Sequence, residues 1–149
     1  MNDRSVHTDW GEIRFSGSSK ALAFQEIKDG IYEILFEEKI LYMRVINSKY
    51  LSQTYSICVC LNAAISGRDN KTPPYFSGEG ISNSVGCCMI SFSDPSTHIQ
   101  GIDLGWYVGN ENWLDFQKDL VNLIEIITKN LSKSLVIFGV QVEVMHLLL

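Results

Sequence analysis

The chain has 149 residues, a formal net charge of −5 and a pI near 5.1, with 46% hydrophobic and 19% charged residues. That length fits one domain, which buries roughly 68–70% of its unfolded surface and so needs neither a metal nor a disulfide to fold. The composition excludes a disordered chain, and the acidity disfavours nucleic acid as a direct ligand, because neutralising phosphates takes a Lys/Arg surface.

The opening Met-Asn-Asp-Arg-Ser-Val-His has no apolar core of the kind a signal peptide requires. Strand character begins at Glu12-Ile13-Arg14-Phe15, which alternates polar and apolar before the turn signal Gly17-Ser18-Ser19. Leu22-Ala23-Phe24-Gln25-Glu26-Ile27 reads as a second strand, and Asp29-Gly30 after it as a hairpin turn. Two further strands, Ile31–Phe36 and Ile40–Ile46, flank a tight connection at Glu37-Glu38-Lys39. The near-continuous apolar run Tyr55–Ala63 predicts a central strand buried on both faces.

From Ser66 to Ser84 the chain is rich in Gly, Pro, Asn and Asp, which predicts irregular structure of the kind loops use for function. Tyr75 and Phe76 sit in its middle, either pinned to the core or presented to a partner. Strand character returns at Cys87–Phe92 and Ile99–Val108 across the turn Ser93-Asp94-Pro95-Ser96. One amphipathic helix is predicted over about 111–131, capped by Asn110 or Asn112. Trp113, Phe116, Leu120, Leu123, Ile127 and Leu131 form its apolar stripe, read as core packing. The tail alternates through Val140-Gln141-Val142-Glu143-Val144, a strand pattern, and ends in Leu147-Leu148-Leu149, for packing on the sheet or at a dimer interface. Its apolar tract from Leu135 is too short and too interrupted to span a bilayer.

The four cysteines, Cys58-Val-Cys60 and Cys87-Cys88, lack the spacing of common zinc sites and sit among Ile57, Val59, Leu61, Met89 and Ile90. Reduced buried thiols are the favoured reading, ahead of disulfides or a metal, which suits a cytoplasmic protein. His7, Asp9 and Glu12 are a conceivable metal set without an evident third ligand in place, and His98 with Asp103 a conceivable acid–base pair without a nucleophile nearby. No serine-hydrolase elbow, phosphate-binding lysine loop, zinc-protease motif or calcium loop is present. The reading is of a non-enzyme with no cofactor and no metal.

Charge placement carries more information. No Lys or Arg occurs between Lys71 and Lys118, while Glu79, Asp94, Asp103, Glu111 and Asp115 all fall in that stretch. If those acids share a surface, they steer a basic partner toward it; otherwise they are scattered polar residues. Trp106 and Tyr107 are adjacent, so on a strand one ring faces outward, beside Asp103 and Glu111. An exposed ring rimmed by acids is an anchor for a basic protein; the alternative is that both rings are core or edge residues.

The strands beginning at Trp10-Gly11-Glu12-Ile13-Arg14-Phe15, and Gly105-Trp106-Tyr107-Val108-Gly109-Asn110 leading into Glu111–Asn130, resemble bacterial immunity proteins of polymorphic-toxin and contact-dependent inhibition systems. The resemblance implies a cytoplasmic, non-enzymatic protein that binds a toxin domain, commonly a nuclease, and occludes its active site. It carries over no functional residue by motif.

The expected fold is therefore a single α+β domain over 1–149, a mainly antiparallel sheet with one long helix packed on it. About six to eight strands are expected. The expected partner is a cognate, basic toxin domain, with neither nucleic acid nor membrane, and the chain itself is a monomer or homodimer. Partner contacts are expected from Tyr75, Phe76, Glu79, Asp94, Asp103, Trp106, Tyr107, Glu111 and Asp115. The alternative is an acidic secretion chaperone that holds an unfolded client segment.

Overall fold

The computed structural model describes residues 7–61, 72–99, 101–102, 105 and 107–139. Strands β1 (His7–Thr8), β2 (Gly11–Ser18), β3 (Gly30–Phe36), β4 (Lys39–Ile46), β5 (Ser56–Leu61), β6 (Met89–Phe92) and β7 (Ser134–Gly139) form one sheet in the order β1-β2-β3-β4-β6-β5-β7. The two-residue β1 is an appendage to a six-stranded body. Helices are α1 (Ser19–Leu22), α2 (Glu79–Val85) and α3 (Phe116–Leu131).

The sheet is mixed, which corrects the expectation of a mainly antiparallel one. β3–β4 and β4–β6 are antiparallel, but β2–β3, β5–β6 and β5–β7 are parallel. The first parallel pair arises because residues 22–27 are not a strand. Leu22 and Ile27 are buried while Phe24 stands 89% exposed, so the run does not alternate and serves as a crossover. Asn130 on α3 fixes this crossover by donating to the carbonyls of Leu22 (2.9 Å) and Gln25 (3.0 Å). Gly30, at φ 142°, opens β3 rather than closing a hairpin.

Alternation assigns two faces. Tyr32, Ile34, Leu41, Met43, Val45, Ile57, Val59, Ile90 and Phe92 meet Phe116, Leu120, Leu123 and Ile127 of α3 in the main core. Burying such side chains is worth about 1.5–3 kcal/mol each, which fixes α3 on the sheet. On the second face Ile46, Cys58, Cys60, Cys87 and Met89 form a smaller cluster under α2, against Ile81. β5, read as a two-sided buried strand, has Ile57 to Cys60 buried between these layers.

Three more expectations change. The long helix begins at Phe116, not near 111, because Trp113 N–H bonds back to the Asn110 carbonyl at 2.9 Å and closes a turn first. Asn110 caps that turn through its side chain, accepting from Asn112 N–H at 2.9 Å, and Asp115 occupies the helix N-cap. Part of the irregular 66–84 stretch is helical, since left-handed Gly78 (φ 97°) and Gly86 (φ 72°) bracket α2. The described residues between 99 and 108 form no strand: Gly101 (φ 89°) and Tyr107 (φ 54°) take conformations incompatible with one. The tail strand at 140–144 lies outside the described residues.

Candidate protein-docking surface

The residues singled out in the sequence are divided among three places. Tyr75 and Phe76 are 3% and 5% exposed, so the aromatic pair of the loop is pinned. Tyr75 N–H donates to Ser93 Oγ at 2.9 Å, and Phe76 meets Trp10 edge-on with centroids 5.8 Å apart. Tyr107 is also interior, its hydroxyl donating to the Phe92 carbonyl at 2.8 Å. Asp94 is buried and structural, accepting from Ser96 N–H (2.9 Å), Ser96 Oγ (2.7 Å) and Tyr107 N–H (2.7 Å). Glu79 lies on the second face at the start of α2, ion-paired with Arg44 at 3.0 Å. Asp103 and Trp106 lie outside the described residues. Glu111 and Asp115 are exposed in the turn that precedes α3.

Those last two acids belong to a larger constellation. The β3–β4 hairpin closes at the Phe36–Lys39 pair and leaves Glu37 and Glu38 exposed in its turn. The Phe36 ring lies against Trp113 at 5.4 Å between centroids, and Lys39 Nζ sits over the same indole at 5.5 Å. Trp113 Nε1 in turn donates to Asp119 Oδ2 at 2.7 Å. The buried indole thus brings the hairpin tip and the 110–115 turn to one end of the molecule. In that turn Trp113 points inward while Glu111, Asn112, Leu114 and Asp115 face solvent.

The two adjoining turns expose four carboxylates, Glu37 and Glu38 in the hairpin and Glu111 and Asp115 in the 110–115 turn, and the second turn also exposes Leu114 at 82%. Val108 is a second bare apolar side chain nearby in sequence. Opposing charge comes from Lys39, already over the indole, and exposed Lys118. An apolar centre with an acidic rim suits a cationic protein surface. Glu37 also holds φ 56°, a left-handed conformation that hairpins usually give to Gly or Asn. In the sequence Glu37 and Glu38 read only as a turn; two adjacent acids at a hairpin tip were a signal, but the Phe36–Trp113 contact that places them was not.

Catalytic and metal alternatives gain little from the geometry. Ser93 Oγ is 2.8 Å from His98 Nε2, a pair that sequence spacing did not suggest. Ser93 is fully buried and already accepts from Tyr75 N–H. The carboxylate of Asp9 accepts from Thr72 Oγ1 at 3.0 Å, and Glu12 faces Arg14 at 3.7 Å. Among the described residues no group of three or more His, Cys, Asp or Glu is arranged to hold a metal ion, and no helix is long and apolar enough to cross a membrane. Comparison with protein-family models, curated proteins and solved structures returned no match.

Proposed function

We propose that the chain is an immunity-type binding protein that inhibits a cognate basic toxin domain, possessing a nuclease-like cationic cleft, by occluding its active site. The observation that supports this reading is the pair of turns that meet at buried Trp113, which expose Glu37 and Glu38 on one side and Glu111, Leu114 and Asp115 on the other. The carboxylates accelerate encounter with a Lys/Arg-lined cleft, and Leu114 fills an apolar recess once water leaves. The indole beneath is packed against Phe36 and Phe116, which lowers the ordering cost that opposes binding.

The test is co-expression with a basic toxin domain encoded beside this chain. The parent chain is expected to restore growth. A Glu37→Lys, Glu38→Lys, Glu111→Lys, Asp115→Lys variant is expected to fold but to protect poorly, with an association rate lower by about tenfold or more. Equal protection by the folded variant, or an association rate indifferent to salt, removes the acidic end as the docking surface.

The secretion-chaperone reading rests on a different observation. β7 ends the described sheet, and its Leu135, Val136 and Ile137 are 36%, 43% and 49% exposed, so an extended client segment has an apolar edge to pair with. A stable dimer that captures an unfolded client segment, and not a folded domain, would favour this second function.

A further inference from the structure

The second face of the sheet contains a pair of sulfurs that the docking surface does not use. Cys58 on β5 and Cys87, two residues before the start of β6, bring their thiols to 2.9 Å of each other. The other two cysteines are directed elsewhere. Cys88 points into the main core on the α3 side, and Cys60 Sγ lies against Ser77 Oγ at 3.3 Å. Sequence spacing does not reveal the pairing, because the two cysteines are 29 residues apart.

The backbone holds both positions firmly. Cys58 N–H donates to the Cys88 carbonyl at 2.9 Å, and Ser82 Oγ of α2 donates to the Cys87 carbonyl at 2.7 Å. Both cysteines are 5% exposed, beneath α2. That helix has only seven residues and is fastened by Arg44–Glu79 at 3.0 Å and by Asn47 Nδ2 donating to Ser82 Oγ at 2.8 Å. An S–S bond is about 2.0 Å long, so the two sulfurs have to close only part of their 2.9 Å separation to form one.

We infer that Cys58 and Cys87 are a dithiol modification site, which a low-molecular-weight disulfide such as oxidised glutathione converts to an intramolecular disulfide. One cysteine thiolate attacks a glutathione sulfur, breaking its S–S bond and expelling a glutathione thiolate that takes up a proton. The neighbouring cysteine, once deprotonated, attacks the protein sulfur of this mixed disulfide and expels the second glutathione. The protein loses two protons and two electrons, and glutathione disulfide takes them up to become two thiols. Burial, with the neighbouring thiol, keeps Cys58 protonated well above the usual thiol range. Exchange is therefore slow in the closed structure and faster at alkaline pH or when α2 lifts. The bond ties β5 to the end of α2 and makes the second face reversibly lockable.

The experiment uses the full chain, incubated with excess oxidised glutathione at neutral and alkaline pH, with and without mild urea, then alkylated and analysed by intact mass and peptide mapping. The expected product is lighter by two hydrogens, carries no glutathione, joins the Cys58 and Cys87 peptides and reverts with dithiothreitol. Its thermal midpoint is expected to exceed that of the reduced chain. A parallel sample receives phenylarsine oxide, which binds paired thiols with loss of water. One adduct is expected on the parent chain and none on Cys58→Ala or Cys87→Ala, which retain an apolar fill. A link through Cys60 or Cys88, glutathione adducts as the only product, or no reaction with either reagent in any condition overturns the inference.

Discussion

Asp94 shows how a residue suited to one role by sequence takes another by position. Its carboxylate receives three hydrogen bonds while only 1% of the residue is exposed. Asp94→Ala strands those donors in the interior and is expected to cost about 2–4 kcal/mol, read as a lower urea midpoint with an unchanged slope. Glu37 is the opposite case. Its left-handed φ of 56° is relieved by glycine, so Glu37→Gly is expected to leave stability equal or higher by up to about 1 kcal/mol while weakening docking. A loss of stability in thermal melts would mean that the carboxylate has a structural partner. Gly109 bears on the same surface: at φ 86°, an added Cβ would be driven into the Trp113 carbonyl. Gly109→Ala is expected to cost of order 1–3 kcal/mol and to blunt the tryptophan emission change on partner binding.

Among the elements, α3 and α2 are held by different forces. α3 is fixed by apolar burial, so Leu123→Ala, at a fully buried position, is expected to cost about 2–5 kcal/mol. Val121→Ala on its exposed side is expected to stay within about 0.5 kcal/mol. α2 rests on a small cluster and a handful of polar contacts. Glu79→Gln removes an ion pair whose acid is 55% exposed and is expected to cost less than about 1 kcal/mol. Hydrogen exchange in α2 is expected to be faster than in α3, because its local opening exposes less apolar surface. Equal protection in the two helices would contradict that ranking. The elements legible in the sequence were those with one strong period: the alternating first strand, the apolar β5 and the stripe from Phe116 to Ile127. Residues 22–27 and the start of the long helix were not legible, because crossover and turn both bury apolar side chains without a period.

For the molecule as a whole, buried acids that stay neutral make stability fall at alkaline pH. Burial pushes the Cys88 thiol from an ordinary value of 9.0 to about 12, and burial likewise raises the Tyr32 hydroxyl. Below about pH 9 the Cys88 thiol is protonated in folded and unfolded chains alike, and its contribution is fully present. Between 9 and 12 the unfolded chain ionises while the folded chain keeps its proton, so stability falls as pH rises. Urea titrations at pH 8, 9 and 10 are expected to show this decline, and Cys88→Ala to make it shallower. A rise over the same window would refute the assignment of Cys88 to the apolar core.

The sequence by itself determined that the chain is an acidic α+β fold with a predominantly β first half, a late amphipathic helix and buried thiols. Local periodicity and composition encode those properties, because each depends on neighbours a few residues away. Only the tertiary structure decided strand direction, which turns adjoin and which cysteines meet. The crossover from β2 to β3, the Phe36–Trp113 contact and the Cys58–Cys87 pair join residues distant in sequence. Which distant residues meet is settled by how whole elements bury their apolar faces together, and no short window of sequence contains that information.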